Sequence, residues 1–182
     1  MFGLSMQMQH MIPGRYPTKP SELLPPGTHF YKYQLLSTWG PVFFPNHWGE
    51  FLTWFADRSA DPAFMPLFSN MITNTWFLQR GGGRSVWSAW FMRFAAERGY
   101  YNFYTQFDDQ RALIVNYRDK GVNYKEDKGP NSEMATELLP QMVDFPPSES
   151  LPIYDFHFNK IDDPVILEDR AVYTDIFNIQ TQ

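Results

Sequence analysis

Apolar residues recur along the chain at two different spacings, and the switch between them is sharpest from Ser85 to Asn116. The Gly81-Gly82-Gly83 run suits neither helix nor strand, and Ser85 then stands where a helix N-cap belongs. Val86, Trp87, Trp90, Phe91, Phe94 and Ala95 follow at helical spacing and form one broad apolar stripe. Arg93, Glu97 and Arg98 fall mostly off that stripe. Arg98 sits at the end where the helix dipole favours a cation, and Gly99 supplies the left-handed residue that closes a helix. Tyr100 to Thr105 is aromatic and reads as a strand, Asp108 to Arg111 as a turn, and Ala112 to Val115 as a buried strand. The pattern predicts helix, strand, turn and strand, with the helix lying against the aromatic ribbon.

The remaining elements are shorter. Phe30 to Phe44 is rich in strand-favouring residues and interrupted at Gly40-Pro41, which predicts one or two strands. Asn46 is the expected N-cap of a helix carrying Trp48, Phe51, Leu52 and Phe55 on one face. Ser69 or Asn70 would cap a short helix through Met71, Ile72, Trp76 and Phe77, and Ser132 another with Met134, Leu138 and Leu139 turned inward. Leu151 to Phe158 alternates as a strand does, and Asp162-Asp163-Pro164 reads as the start of a last helix. Residues 1–29 form an irregular arm broken by Pro13, Pro17, Pro20, Pro25 and Pro26. Met6, Met8 and Met11 are flexible fillers in that arm, placed against its own domain or against another subunit. The predicted architecture is α/β or α+β: a single domain over residues 30–182, with a small mixed sheet packed by aromatic-rich helices, preceded by the arm.

Composition narrows the function classes. A chain of 182 residues can bury a core without covalent staples. Aromatics make up 18% of it, so Phe, Tyr and Trp supply much of that core. A net charge of −5 without a basic patch argues against nucleic acid as a main partner. The absence of cysteine excludes disulfides and thiolate metal sites but leaves the compartment open. No apolar run approaches the roughly 18 residues of a membrane span, and no basic segment followed by an apolar one marks a signal peptide.

Candidate chemistry is sparse. His10, His29, His47 and His157 show no metal-ligand spacing, and no nucleophile elbow is present. Arg80 to Ser85 is a glycine loop before a helix, which is either a plain loop or an anion cradle, although it fits no nucleotide-binding pattern. The doublet Asp108-Asp109 can hold Mg²⁺ or Mn²⁺ against a diphosphate, or simply shape a turn. Trp39, Trp48, Trp76 and Trp87 offer flat faces on which a sugar ring can stack, and each also fits a core.

Three stretches carry a resemblance: FFPNHWGEFLTWF (Phe43 to Phe55), SVWSAWFMRFAAERGYYNFYTQF (Ser85 to Phe107) and LIVNYRDKGVNY (Leu113 to Tyr124). In order and spacing, over residues 39–124, they resemble a group of fungal and algal proteins regarded as glycosyltransferase-like. Where that group has histidines after the last strand, this chain has Tyr117 and Asn123, so an acid/base or metal role there is not carried over. A Rossmann-like nucleotide half has no room upstream of Trp39. The resemblance therefore implies the acceptor-side part of such an enzyme, not active alone, that handles a sugar or nucleotide-sugar. Arg84 and Arg118 would meet phosphate or acidic groups, Trp87 a sugar ring, and Asn116 and Asn123 would flank the same cleft. Asp108 or Asp109 would hold Mn²⁺ or Mg²⁺. Two readings from other classes stand beside it: a non-catalytic accessory subunit that docks through residues 1–29, and a carbohydrate-binding module.

Overall fold

The computed structural model describes residues 1–67, 71–79, 86–107, 109–121, 124–138, 140 and 146–163. Among them lie strands β1 (Gly3–Ser5), β2 (Phe30–Tyr33), β3 (Pro41–Phe43), β4 (Asn102–Thr105), β5 (Ile153–Tyr154) and β6 (Lys160–Ile161). The helices are α1 (Pro20–Leu23), α2 (Pro45–Ala60), α3 (Ile72–Gln79) and α4 (Trp87–Arg98). The strands make one mixed sheet in the order β3-β1-β4-β2-β5-β6, parallel at β1/β4 and β2/β5 and antiparallel elsewhere. This is the single α/β domain that the apolar pattern predicts. Among the described residues, no helix is long and apolar enough to cross a membrane.

Alternation within the strands explains why both faces of the sheet are covered. Tyr31 and Tyr33 of β2, Tyr104 of β4 and Phe2 belong to the large core shared with α2 and α4, whereas Phe30, Phe103, Phe107 and Leu151 form a second core on the opposite face. Even Lys32 is buried; its ammonium donates to the Ser148 carbonyl at 2.8 Å.

Helix α4 is the organising element of the larger core. Ala89 to Met92 and Phe94 to Ala96 are all buried, because α2 and α3 pack on the helix as well as the sheet. Trp90, fully buried, sits among the rings of Trp54, Phe55, Phe64 and Phe77 at 5.2–6.4 Å. The helix closes as expected, with Gly99 left-handed at φ 65°. It joins the ribbon through Phe94, whose ring lies 5.7 Å from that of Tyr100. Ser85 lies outside the described residues.

Three local expectations change. Helix α2 begins two residues early, at Pro45 with Phe44 in place of Asn46 as its cap, because proline's fixed φ already suits the first helical position. Ala112 to Val115 does not pair with β4, since β1 and β2 occupy both of its edges. Ala112 bridges Met134 instead, and Ile114 donates its N–H to the Met6 carbonyl at 3.1 Å. That bridging holds Ser132 to Leu138 non-helical, with Met134 and Leu138 exposed. The predicted helix after Asp163 lies outside the described residues. The N-terminal segment is largely irregular, yet its first residues enter the sheet interior as β1.

Candidate functional site

The irregular N-terminal segment also builds one wall of a cleft of about 200 Å³. Its other walls come from the turn after β2, from α3 and from α4. The N-terminal strap gives Met8, His10 and Met11; the turn gives Leu36 and Trp39; α3 and the residue before it give Thr73, Trp76 and Met71; α4 gives Ser88 and Met92. Met8, Met71, Met92 and Leu36 are buried to within 5% and form the floor, while Trp39, Trp76 and Met11 are 38–49% exposed and form the rim. The surface these residues turn to the cleft is predominantly apolar.

Local chemistry explains why the strap holds this course. Ser5 donates to the Gln7 carbonyl, and Gln9 donates its side-chain amide to the Met11 carbonyl at 2.8 Å. Farther on, the Pro13 carbonyl lies 3.2 Å from a His157 ring nitrogen, and Arg15 bonds the Asn159 amide oxygen. Ser37 bonds both the carbonyl and the N–H of Trp39, fixing the turn that presents the indole.

Two polar atoms of the cleft residues, His10 Nε2 and Thr73 Oγ1, are shielded from water and have no hydrogen-bond partner among the described residues. Burial holds the His10 imidazole below its ordinary pKa of 6.5, and the cations Lys19 and Arg118 push it the same way. His10 is thereby kept neutral at pH 7, so its ring offers one donor and one acceptor nitrogen.

Of the residues singled out in the sequence, Trp87 is half-exposed at the start of α4, against Phe91 at 5.6 Å and Trp48 at 6.4 Å. It does not line the cleft, although its neighbour Ser88 does. Asn116 donates its backbone N–H to the Asn131 side-chain oxygen at 2.9 Å, and its carbonyl accepts from the Asn131 backbone N–H at 3.0 Å. Arg118 clamps a surface loop, donating to the carbonyls of Gly129, Lys128 and Pro130 at 2.8–3.1 Å. It reaches the cleft only through its field on His10. Asp109 is tied to the Arg111 guanidinium and backbone N–H. Arg84, Asp108 and Asn123 lie outside the described residues. Among those described, no group of three His, Asp or Glu side chains is placed to hold a metal ion. Asp109, the one carboxylate of that doublet among the described residues, is engaged by the Arg111 guanidinium.

In the sequence Trp39 and Trp76 read as ring platforms and Met8 and Met11 as fillers, and no local pattern joins His10, Thr73, Met71 and Met92 to them. The one sequence signal was Met-Gln-Met-Gln-His-Met at residues 6–11, an uncharged run too apolar for a free arm. No family model, no curated protein and no solved structure matches the chain.

Proposed function

We propose that this chain is a glycosyltransferase-like domain of the acceptor-side kind, and that the cleft between Trp39 and Trp76 receives the acceptor. The observation that carries this reading is the cleft itself. Two partly exposed indoles rim an apolar floor, and His10 and Thr73 in its lining each carry a buried polar atom with no hydrogen-bond partner among the described residues. Apolar walls with a few convergent polar groups are the usual make-up of a small-molecule site. Its volume of about 200 Å³ is below the roughly 300–1,000 Å³ of sites that enclose larger ligands. That size suits a single ring system and is short of a nucleotide-sugar, in keeping with an acceptor half that needs a donor half elsewhere.

Thermal denaturation with candidate ligands tests the reading. Small hydroxylated acceptors are expected to raise Tm, by the equivalent of about 2.7 kcal/mol at a hundredfold excess over Kd, and Trp39→Ala should abolish the rise. UDP- or GDP-sugars with Mn²⁺ should have little effect alone. Stabilisation by a nucleotide-sugar that survives Trp39→Ala, with none from any acceptor, contradicts the assignment of the cleft.

A second reading, the non-catalytic accessory subunit, is favoured by a different surface. Trp87 on α4 is 44% exposed beside Trp48, which stacks on Phe43. An apolar face of that kind suits cover by protein. A chain that stays monomeric and soluble at high concentration, measured by light scattering, argues against it.

A further inference from the structure

We infer that the ligand this cleft selects is a planar, mostly apolar alcohol, a phenol or similar hydroxylated aromatic, and not a polyhydroxylated sugar ring. Its ring would lie between Trp39 and Trp76 over the methionine floor, with its hydroxyl turned to His10 and Thr73. The inference rests on the acceptor reading and narrows it to a substrate class.

Hydrogen-bond accounting separates the two ligand types. A sugar ring carries a hydroxyl on most of its carbons, and each one stripped of water and left unpaired costs about 1–3 kcal/mol. The cleft meets that demand poorly, because most of the surface it offers is apolar. The Ser37 hydroxyl is occupied by the backbone of Trp39, and the Gln9 amide donates to Met11. Among the described residues that line the cleft, the buried side-chain atoms without a partner are His10 Nε2 and Thr73 Oγ1. One ligand hydroxyl can donate to one and accept from the other, once Thr73 rotates about χ1 or the His10 ring turns to present its nitrogen. Gln7, Thr38 and Ser88 add polar groups to the lining, but the surface turned to the cleft stays predominantly apolar.

The apolar part of the lining favours an aromatic ring in its own right. Met8, Met71 and Met92 on the floor and Met11 on the rim present four thioethers to one small cleft. Sulfur–aromatic contacts are favourable, and the unbranched chains adapt to a flat guest. The partly exposed indoles of Trp39 and Trp76 add offset or edge-on ring contacts. A neutral imidazole completes the set, since a phenol hydroxyl is a good donor to it while a carboxylate or phosphate would be left facing an apolar floor.

Isothermal titration of the full chain with 4-methylphenol, toluene and methyl glucoside tests this. The phenol is expected to bind at least tenfold more tightly than the glucoside, and toluene several-fold more weakly than the phenol. His10→Ala should bring phenol and toluene together, and Trp39→Ala should weaken both. Met92→Leu, which keeps the volume but removes the sulfur, should lower phenol affinity with the fold unchanged by circular dichroism. Methyl glucoside binding as tightly as the phenol, with sensitivity to Trp39→Ala, overturns the inference and leaves the acceptor reading standing. Binding of none of the three overturns both.

Discussion

A methyl group placed on Gly3 would lie 2.1 Å from the carbonyl oxygen of Val42, so strand β1 can approach β3 only with glycine at this position. The obstructing atoms, the Val42 carbonyl and Phe43 Cα, are all backbone of β3, and they cannot turn away as a long side chain would. Gly3→Ala is expected to destabilise the domain by about 1–3 kcal/mol, the range for overpacking a closed site. The urea midpoint should fall, and the loss should appear at the β1/β3 amides in hydrogen exchange. An unchanged midpoint would remove β1 from the sheet interior.

Glu97 joins two helices. It accepts from the Trp54 indole N–H at 3.0 Å and from Arg93 Nε at 2.8 Å, in a partly buried position. Glu97→Ala leaves two donors without their acceptor, at a cost of about 1–3 kcal/mol. Glu97→Gln should recover part of that, because its amide oxygen still accepts from one of them. Equal losses in the two variants would show that packing, not these bonds, holds α2 to α4.

Arg118 acts as a clamp on the polar loop that returns at Gly129. Its guanidinium and backbone together hold the carbonyls of residues 128–130. Arg118→Ala is expected to open the loop and speed tryptic cleavage after Lys120 and Lys125 several-fold. Lysine should not rescue it, since an ammonium cannot reproduce the planar fork. If Arg118→Ala leaves cleavage unchanged, the guanidinium is free for the anion role that the sequence resemblance implies.

The two halves of the account differ in how far the sequence reveals them. Helix α4 and its Gly99 stop are legible because the signals are local: a 3.6-residue stripe and a left-handed glycine. Strand β1 is not, because Gly3–Ser5 carries no alternation and is a strand only through its partners β3 and β4. The expected hairpin fails for the same reason in reverse. Ala112 to Val115 looks like a strand, but both edges of β4 are taken by stretches from far upstream. The cleft is the extreme case: its walls come from four separate stretches, and only the uncharged run at residues 6–11 stands out alone. A lone His10 reads as a satisfied histidine until Thr73 and the methionines are seen beside it.

Acidity should weaken the fold through the histidines. Burial, then Lys19 and Arg118, depress the His10 pKa from its ordinary 6.5, and burial is the first cause of the same shift at His47. Between 6.5 and the lower folded-state value, the unfolded chain binds more protons than the folded one, so stability rises with pH across that window. Their contribution is full above 6.5 and is lost as pH falls below it. Urea midpoints at pH 7.5 and 5.5 should show the drop, and His10→Gln should reduce it. A midpoint that rises on acidification in this range would contradict the neutral His10 described above.

The most direct test of the cleft as the ligand site uses its own methionines. With ¹³C-methyl methionine, nine probes report at once, and Met8, Met11, Met71 and Met92 line the cleft. Titration with 4-methylphenol, followed by heteronuclear NMR, is predicted to shift those four methyl resonances together along one saturation curve while Met1, Met6, Met65 and Met134 stay in place. Shifts confined to that second set, or saturable binding that moves none of the four, would contradict the cleft as the ligand site.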